Sequence, residues 1–426
     1  MAKETNKTRT AIIGGGASGL AAAIFASGTR NCSVTVFEAK DVPGRKINGT
    51  GNGKCNFTND RMGIEYYRGE DPSFAKFALQ TFDNECAKLF FRLIGILPKE
   101  KNGGYIYPNS EEASSVSAAL TLTAKSLGAV FEFQKIKSLA KAGKNFIINN
   151  QTFDKVILAC GSFANMKDVT DFNGYDLARS LGHKITPLYP SLCQIRCEGN
   201  FFKTINGVRT EALIRLLSEG RTVASEEGEL LFTDYGVSGI PAFQISRFCA
   251  SERAKKHKVE LVIDLLPGLS TEEAKAEVTE RIQSMKKNKR TTEEALFGLL
   301  NHKLNFCLLN MAGIDPTGYG RDINDEKLKK LVSFYKSLTL KVTGTNDFSY
   351  AQVTAGGVDT KEIDPETMES RIVPGLYFAG EIIDIDGTCG GYNLQWAWST
   401  GFVSGLASSG VPIPGDAKAY INRMFG

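Results

Sequence analysis

The segment Gly14-Gly-Gly-Ala-Ser-Gly19 is the feature that most restricts how this 426-residue chain can fold. It satisfies the pattern G-x-G-x-x-G, and it follows an apolar run that starts at Thr10 and precedes an alanine-rich stretch from Ala17 to Ala26. These neighbours predict a strand, a tight turn and a helix. A second apolar run, Val34 to Phe37, ends at Glu38, nineteen residues after Gly19. Together they predict a βαβ unit.

The spacing of this unit predicts a dinucleotide site at the turn. In such a turn Gly14 permits the sharp bend, Gly16 lets the backbone approach a pyrophosphate and Gly19 lets helix and strand pack closely. The helix N-terminus, with Ala17 and Ser18, favours the phosphate charge. Glu38 would accept hydrogen bonds from ribose hydroxyls, which argues against a 2′-phosphate. The motif alone does not distinguish FAD from NAD.

The C-terminal part of the chain favours FAD. An apolar strand ends at Gly380 and Glu381, a form suited to a ribityl chain, and Gly391 then opens a helix. Free N–H groups at that helix start could face the flavin pyrimidine, where the reduced ring is negative. A third apolar strand, from Asp154 to Ala159, also ends at a glycine, Gly161, as in two-dinucleotide-binding flavoproteins.

Composition excludes several classes of protein. Hydrophobic residues are 42% and charged residues 23%, so the chain can bury a large core. The first ten residues lack a signal-peptide pattern, and no apolar run is long enough for a membrane span. The nine scattered cysteines contain no C-x-x-C pair and favour the cytoplasm, and three distant histidines leave little for a metal site. The net charge of +4 is too small to predict a nucleic-acid partner.

The middle of the chain reads as an insertion. Short β runs fill residues 191 to 266, and two S/T-x-x-E capping boxes, at Ser270 and Thr291, each predict a helix start. We therefore expect an α/β protein with a Rossmann-like FAD-binding domain at residues 1–190 and 345–426. A β-rich insert would occupy 191–269 and 337–344, with a small helical subdomain at 270–336.

A set of further motifs resembles one specific family almost throughout the chain. The aminoacetone-oxidase-like flavoproteins, also labelled BaiN-like FAD-dependent oxidoreductases, are similar at these motifs: Gly44-Arg-Lys46, Gly53-Lys-Cys-Asn-Phe-Thr-Asn59, Gly228-Glu-Leu-Leu-Phe-Thr233, Thr354-Ala-Gly-Gly-Val358, and Gly380-Glu381 through Gly390-Gly-Tyr-Asn-Leu-Gln-Trp-Ala397. The resemblance implies a Rossmann-like FAD domain interrupted by a β-barrel that carries helices. It also implies redox chemistry, including reduction of C=C bonds in steroid-type bile-acid intermediates by some members.

The resemblance also implies roles for individual residues. Gly14, Gly16, Ser18 and Gly19 would hold the pyrophosphate and Glu38 the adenosine ribose, while the backbone of Ile136 would contact adenine. The flavin side would be lined by Arg45, Lys46 and Asn56, and the ribityl chain and isoalloxazine would be contacted by Glu381, Asn393 and Leu394. The glycines that end the two strands and open the last helix, Gly161, Gly380 and Gly391, are further cofactor-binding candidates. One departure is visible, since Ala159-Cys-Gly-Ser162 stands where the family more often has Ala-Thr-Gly-Gly. Tyr392 is a candidate proton donor, although a tyrosine packed against the cofactor is the alternative.

These observations predict a cytoplasmic oxidoreductase with non-covalent FAD and with NADH or NADPH as a transient donor, because no second complete G-x-G-x-x-G unit is present. The expected reaction is reduction of a C=C bond in an enone or steroid-like small molecule. Three alternatives remain open: an oxidase of small amines, a flavin redox sensor, and an RNA-associated flavoprotein. The last would dock through the basic runs near Lys255 and Lys286.

Overall fold

The structure is a computed structural model that describes residues 7–101, 103–171, 174–320 and 323–426, with only the backbone of 285–288. Its strands are β1 (Thr8–Ile13), β2 (Cys32–Glu38), β3 (Thr58–Asn59), β4 (Tyr67–Arg68), β5 (Pro98–Lys101), β6 (Tyr105–Pro108), β7 (Val130–Phe133), β8 (Ala140–Ala142), β9 (Asn145–Ile148), β10 (Gln151–Phe153), β11 (Lys155–Leu158), β12 (Tyr189–Ser191), β13 (Ile195–Cys197), β14 (Arg209–Ser218), β15 (Arg221–Thr233), β16 (Gly236–Ser238), β17 (Val259–Asp264), β18 (Leu338–Thr345), β19 (Val353–Ala355), β20 (Leu376–Phe378) and β21 (Asp386–Gly387).

The helices follow the periodic segments of the sequence. They are α1 (Ala17–Gly28), α2 (Lys76–Thr81), α3 (Asn84–Leu93), α4 (Ala113–Ser126), α5 (Gly174–Ser180), α6 (Phe202–Ile205), α7 (Ile240–Ala254), α8 (Thr271–Asn288), α9 (Thr292–Ala295), α10 (His302–Ala312), α11 (Asp325–Ser337), α12 (Tyr392–Ser408) and α13 (Ala417–Phe425). Within the described ranges, no helix combines the length and apolar character that crossing a membrane requires.

The chain divides into two compact units, and the first consists of residues up to 163, 167–188 and 353–426. Its centre is a five-stranded sheet in the order β20-β11-β1-β2-β7. All of its strand pairs are parallel, with Ile12 opposite Ile157 on one side and Val36 on the other. Strands in the middle of such a sheet are covered on both faces, which explains their continuous apolar sequence. The predicted Rossmann-like fold is confirmed.

Helix α12 packs closely on α1 within this unit. A Cβ atom on Gly401 would lie 2.6 Å from Ala21 Cβ, and one on Gly405 would lie 2.7 Å from the Ala22 carbonyl oxygen. The two glycines therefore let the backbones approach more closely than any side chain would permit. This contact joins the N-terminal βαβ unit to a helix almost four hundred residues later in the chain.

The second unit contains residues 164–166 and 189–352. Six strands close into an antiparallel barrel in the order β13-β16-β15-β14-β17-β18, which confirms the predicted barrel. Helices α8, α10 and α11 share one buried apolar cluster with the barrel, in which Leu261 and Ile263 belong to the sheet and Leu308 and Leu331 to the helices. The three-part boundaries expected from the sequence stay a prediction.

Both predicted capping boxes are formed. Ser270 and Glu273 exchange hydrogen bonds of 2.8 and 3.1 Å at the start of α8, and Thr291 does the same with Glu294. The second box opens only the single turn α9, because Gly298 adopts a φ of +78° soon afterwards. The longer helix α10 begins later, with the Asn301 side chain accepting from the Lys303 N–H.

A buried histidine makes the stability of the first unit depend on pH. His183 Nε2 lies 2.8 Å from Ser370 Oγ, and Nδ1 lies 3.2 Å from Glu362 Oε2. Burial lowers the pKa of His183 from its usual 6.5, although the Glu362 carboxylate opposes the shift. The unfolded chain therefore binds this proton more readily than the folded protein does.

We expect the free energy of unfolding to fall as the pH drops below about 6.5, by up to about 1.4 kcal/mol per pH unit from this group. Urea unfolding between neutral and mildly acidic pH would measure it. The variant His183→Gln removes the titration and should flatten the profile in this window. An equally steep profile in the variant would assign the loss to other groups.

Candidate cofactor and active site

In the glycine turn between β1 and α1, backbone atoms of the strand, the turn and the helix lie unusually close to one another. The Gly14 N–H donates to the Phe37 carbonyl oxygen at 2.8 Å, which ties the end of β1 to β2. A Cβ on Gly19 would lie only 1.8 Å from the Gly14 carbonyl oxygen, so helix and turn are in backbone contact. At Gly16, by contrast, a Cβ would meet nothing within 4 Å, and α1 has no side-chain cap. The turn thus presents open space and a helix N-terminus, which fits a pyrophosphate.

Glu38 braces this turn from the end of β2. Its Oε2 accepts from the Gly15 N–H and its Oε1 from the Lys40 N–H, both at 2.8 Å. Each carboxylate oxygen retains a further acceptor site, so Glu38 can also receive a ribose hydroxyl. The hydrogen bond to Gly15 gives Glu38 a second role, that of holding the glycine turn in place, which the sequence motif does not predict.

The end of β11 forms a neighbouring part of the site. Gly161 has a φ of +75°, and a Cβ there would meet nothing within 4 Å. Cys160 Sγ donates to the Ile13 carbonyl oxygen at 3.3 Å, and burial raises the pKa of this thiol to about 12. Cys160, which departs from the family pattern, therefore points towards the sheet. The space beside Gly161 stays open.

The segment after β20 reaches the same sheet edge. Ser18 Oγ donates to the Ala379 carbonyl oxygen at 3.1 Å, and a Cβ on Gly380 would lie 2.5 Å from that hydroxyl. Glu381 Oε2 is 2.6 Å from Lys46 Nζ, and its Oε1 accepts from the Thr354 N–H at 2.8 Å. The Thr354 hydroxyl is buried without a hydrogen-bond partner in the described structure. Such an unpartnered group beside Glu381 fits a polar ligand at this position.

The start of α12 borders the candidate cofactor site. The N-cap residue of this helix, Gly391, has a φ of +95° and has no side chain that could accept from the helix N–H groups. Asn393 is held by Gly387, whose N–H and carbonyl it contacts at 2.7 and 2.8 Å. Asn56 Oδ1 accepts from the Ile106 N–H at 3.2 Å, and a Cβ on Gly391 would lie 3.0 Å from that oxygen. Leu394 packs against the apolar core.

Tyr392, the candidate proton donor, is 4% exposed. Its hydroxyl donates to the Arg61 carbonyl oxygen at 2.8 Å, and its ring stacks on Tyr66 with centroids 4.5 Å apart. Burial raises the pKa of Tyr392, so the phenol keeps its proton. These contacts give the residue a packing role, and its part in proton transfer stays a prediction.

The structure brings most of the expected residues to one edge of the first unit, and for two of them it gives no test. The turn from Gly14 to Gly19, Glu38 and Gly161 lie at the carboxyl ends of parallel strands, where ligands of such sheets bind. Lys46 and Glu381 are in direct contact. Arg45 has an exposed side chain, and Ile136 is buried after the edge strand β7, so neither contact expected of them is tested by the geometry.

Two glycine variants distinguish a glycine needed for packing from a glycine needed for binding of the cofactor. Gly19→Ala should destabilise the fold by about 3 kcal/mol, because its methyl group would strike backbone atoms that cannot move aside. Gly16→Ala should leave the unfolding free energy of the FAD-free protein within about 0.5 kcal/mol, but should lower FAD affinity about tenfold or more. Urea unfolding and flavin titration measure the two effects. Unchanged flavin affinity in Gly16→Ala would remove the pyrophosphate assignment.

Glu38 variants test the ribose assignment. Glu38→Gln keeps an oxygen acceptor for one backbone N–H, so we expect a folded protein with about tenfold weaker FAD retention. Glu38→Ala leaves both N–H groups without their acceptor and should also lower the melting temperature. Flavin absorbance per protein after gel filtration is the readout. Full flavin content in both variants would contradict the role of Glu38.

The chain is similar to a known protein family and to several known proteins along most of its length. The family described as "HI0933-like protein Rossmann domain" matches residues 8–407. A relative from Clostridium scindens named 3-dehydro-bile acid delta(4,6)-reductase is 38% identical over 410 residues, 95% of this chain and 100% of its own length. A ribosomal RNA dihydrouridine synthase from Haemophilus influenzae is 33% identical, covering 93% of this chain and 98% of its own.

An Escherichia coli ribosomal RNA dihydrouridine synthase is 29% identical, over 91% of this chain and 95% of its own. These matches extend across both compact units, so the resemblance is not confined to the dinucleotide motif. The chain therefore belongs to the HI0933-like Rossmann family, which includes the BaiN-like flavoproteins, and it is an FAD-dependent oxidoreductase.

Proposed function

We propose that this protein reduces a C=C bond conjugated to a carbonyl group, with NADH or NADPH as the hydride donor. The observation that carries the proposal is the 38% identity, over 95% of this chain, to a protein named as a reductase of a 3-dehydro-delta(4,6) bile acid. In that nomenclature the reducible double bonds are conjugated to a 3-oxo group. The expected enone substrate has the same arrangement.

The relatives named dihydrouridine synthases support the same reaction class. Dihydrouridine differs from uridine by two hydrogens at C5 and C6, and that double bond is conjugated to the C4 carbonyl. In uridine a hydride would go to the carbon β to the carbonyl, and in a 4,6-dien-3-one to the β carbon or, through the extended conjugation, to the δ carbon. In each case a proton would go to the neighbouring carbon of the same double bond. The same type of reaction therefore applies to a steroid and to a pyrimidine. The reaction type alone does not identify the substrate, which depends on the residues around the site.

Bound FAD would supply the hydride chemistry, after reduction by the nicotinamide. The chain would hold it through the turn from Gly14 to Gly19, with Glu38 on the adenosine ribose. Lys46 would present its ammonium group to the flavin side, and Glu381 holds that group at 2.6 Å. The N-terminus of α12, which has no side-chain cap, would add positive partial charge that favours the negative charge of a reduced flavin.

The proton for the α carbon has one sequence-based candidate. Tyr392 retains its proton at neutral pH, since burial raises its pKa. To donate, its hydroxyl would have to leave the Arg61 carbonyl oxygen. Tyr392→Phe keeps the ring that stacks on Tyr66 and removes only the hydroxyl, so it is a conservative test of this role.

Anaerobic stopped-flow absorbance tests the proposal in two half-reactions. We expect NADH or NADPH to bleach the flavin, and a 4-en-3-one steroid or uridine-containing RNA to reoxidise it faster than dioxygen does. Tyr392→Phe should bleach at the rate of the unchanged protein and slow the second step by about 100-fold if the phenol is the proton donor.

Other outcomes would replace this proposal. A flavin that stays oxidised with both nicotinamides, is bleached by an amine and is restored by air would identify an amine oxidase. A flavin bleached by a nicotinamide but reoxidised only by dioxygen would leave no support for C=C reduction. Equal second-step rates in Tyr392→Phe and the unchanged protein would remove Tyr392 as donor and leave the reaction class intact.

A further inference from the structure

One arginine of the barrel in the second unit is held in place without an acidic partner. Arg196 lies in the middle of β13, and its side chain is exposed. Its Nη1 donates to the Asn346 side-chain oxygen at 3.1 Å, and its Cζ lies 4.7 Å from the centroid of the Tyr235 ring. Holding a long, exposed side chain in one position costs conformational entropy, and the contacts that do so here include no negative charge.

Asn346 is the residue that fixes this arginine. It is 5% exposed, and its side-chain N–H groups donate to the Gln194 side-chain oxygen at 3.1 Å and to the Tyr235 hydroxyl at 2.9 Å. Its backbone N–H donates to the Gln194 carbonyl oxygen at 2.9 Å. These bonds orient the side-chain oxygen of Asn346 towards Arg196. The same network holds the Tyr235 ring beside the guanidinium.

The positions beside Arg196 on the two neighbouring strands carry no side chains. Gly236 of β16 and Gly344 of β18 lie directly opposite it. A Cβ on Gly236 would lie 2.1 Å from the Ile195 carbonyl oxygen, so only glycine fits there. A Cβ on Gly344 would meet nothing within 4 Å. Because opposite residues of a strand pair point to the same side, the Gly344 position leaves room for a ligand beside the arginine.

Most of the hydrogen-bonding capacity of Arg196 is not used by the protein. A guanidinium carries five N–H donors, and in the described part of the chain only the bond to Asn346 is formed. Glu198, Asp234 and Asp347 are close to these residues in sequence. Among the described residues, however, no carboxylate oxygen lies within 4.0 Å of the guanidinium. The remaining N–H groups are therefore available to an anionic ligand from solution.

We infer that Arg196 and Tyr235 form a binding site for a nucleotide that carries a phosphate monoester. The guanidinium would pair with two phosphate oxygens, the geometry that arginine favours, and the partly exposed Tyr235 ring would pack against the base. A phosphate monoester suits several free donors better than a carboxylate does, because it has three acceptor oxygens and a charge of about −1.5 to −2 at pH 7. The site lies within the second unit and is independent of the proposed reaction.

Two kinds of nucleotide carry this group. NADPH has a 2′-phosphate monoester on its adenosine, and free nucleotides such as AMP have a 5′-phosphate monoester. NADH has neither, since its two phosphates are joined to each other. Arginine is the usual partner of the 2′-phosphate in NADPH sites, whereas an acid such as Glu38 at the glycine turn disfavours that group. A 2′-phosphate would therefore need a second site of the kind that Arg196 offers.

Isothermal titration calorimetry with 2′-AMP and with 5′-AMP tests the inference. The protein is loaded with FAD beforehand, which keeps both nucleotides out of the glycine turn. We expect at least one of them to bind with a Kd of about 0.1 mM or tighter, and adenosine, which lacks the phosphate, to bind at least about tenfold more weakly. Tighter binding of 2′-AMP would identify an NADPH-type ligand, and tighter binding of 5′-AMP a free nucleotide. Adenosine that binds as tightly as both, or no saturable binding of either nucleotide, would overturn the inference.

Three variants assign the binding to this site. Arg196→Gln should weaken binding of the preferred nucleotide at least about tenfold, because charge-assisted hydrogen bonds to the phosphate are lost. Arg196→Lys keeps the charge but not the planar arrangement of donors, so it should restore only part of the affinity. Tyr235→Phe keeps the ring and removes the hydroxyl that Asn346 contacts, and should weaken binding about threefold.

Arg215→Gln is the matched control. Arg215 is an exposed arginine on β14 of the same unit, and its side chain forms no hydrogen bond or ion pair in the described structure. This variant loses the same charge and should bind the nucleotide like the unchanged protein. Equal losses in Arg215→Gln and Arg196→Gln, or full affinity in Arg196→Gln, would overturn the inference. Melting temperature and flavin content confirm that each variant is folded.

Discussion

The backbone contact between α1 and the ends of β1 and β11 is the constraint on which the rest of the first unit depends. A single carbon atom added to Gly19 would overlap the Gly14 carbonyl oxygen, so helix and turn have one permitted separation. Glu38 fixes the turn from the other side through the Gly15 N–H. With the turn held in this way, the Cβ position of Gly16 meets nothing within 4 Å and stays open beside the N-terminus of α1.

Two long-range contacts extend this arrangement into a site. Ser18 of α1 donates to the Ala379 carbonyl, and Lys46 pairs with Glu381 across 335 residues of sequence. The same C-terminal segment leads into α12, which packs on α1 through Gly401 and Gly405. The dinucleotide turn, the Lys46–Glu381 pair and the uncapped start of α12 therefore belong to one connected part of the first unit. Its chemistry suits a large, anionic, redox-active cofactor.

Local rules predicted much of this architecture. The G-x-G-x-x-G spacing predicted the βαβ unit, and the S/T-x-x-E pattern predicted two helix starts, because both signals lie within a few residues of the structure they specify. The short extent of α9 was not predicted, since it depends on the φ of Gly298. The Lys46–Glu381 contact was not predicted, because the two residues lie 335 positions apart and the family resemblance only placed each of them near the cofactor. The cluster of Lys54, Lys99 and Lys101 around Glu111 was missed because these residues meet through tertiary packing, and no spacing in the sequence indicates it.

The discontinuity of the first unit has a consequence for how the protein matures on the ribosome. Residues 189–352 form a continuous stretch that can complete its barrel while synthesis is still in progress. The N-terminal βαβ unit is synthesised earlier, but β20 and α12 are still missing at that stage. The apolar side of α1 that packs against α12 therefore stays exposed to solvent until the last part of the chain has been made. A cofactor site that uses both the glycine turn and the start of α12 can therefore be complete only after this last part of the chain has been made.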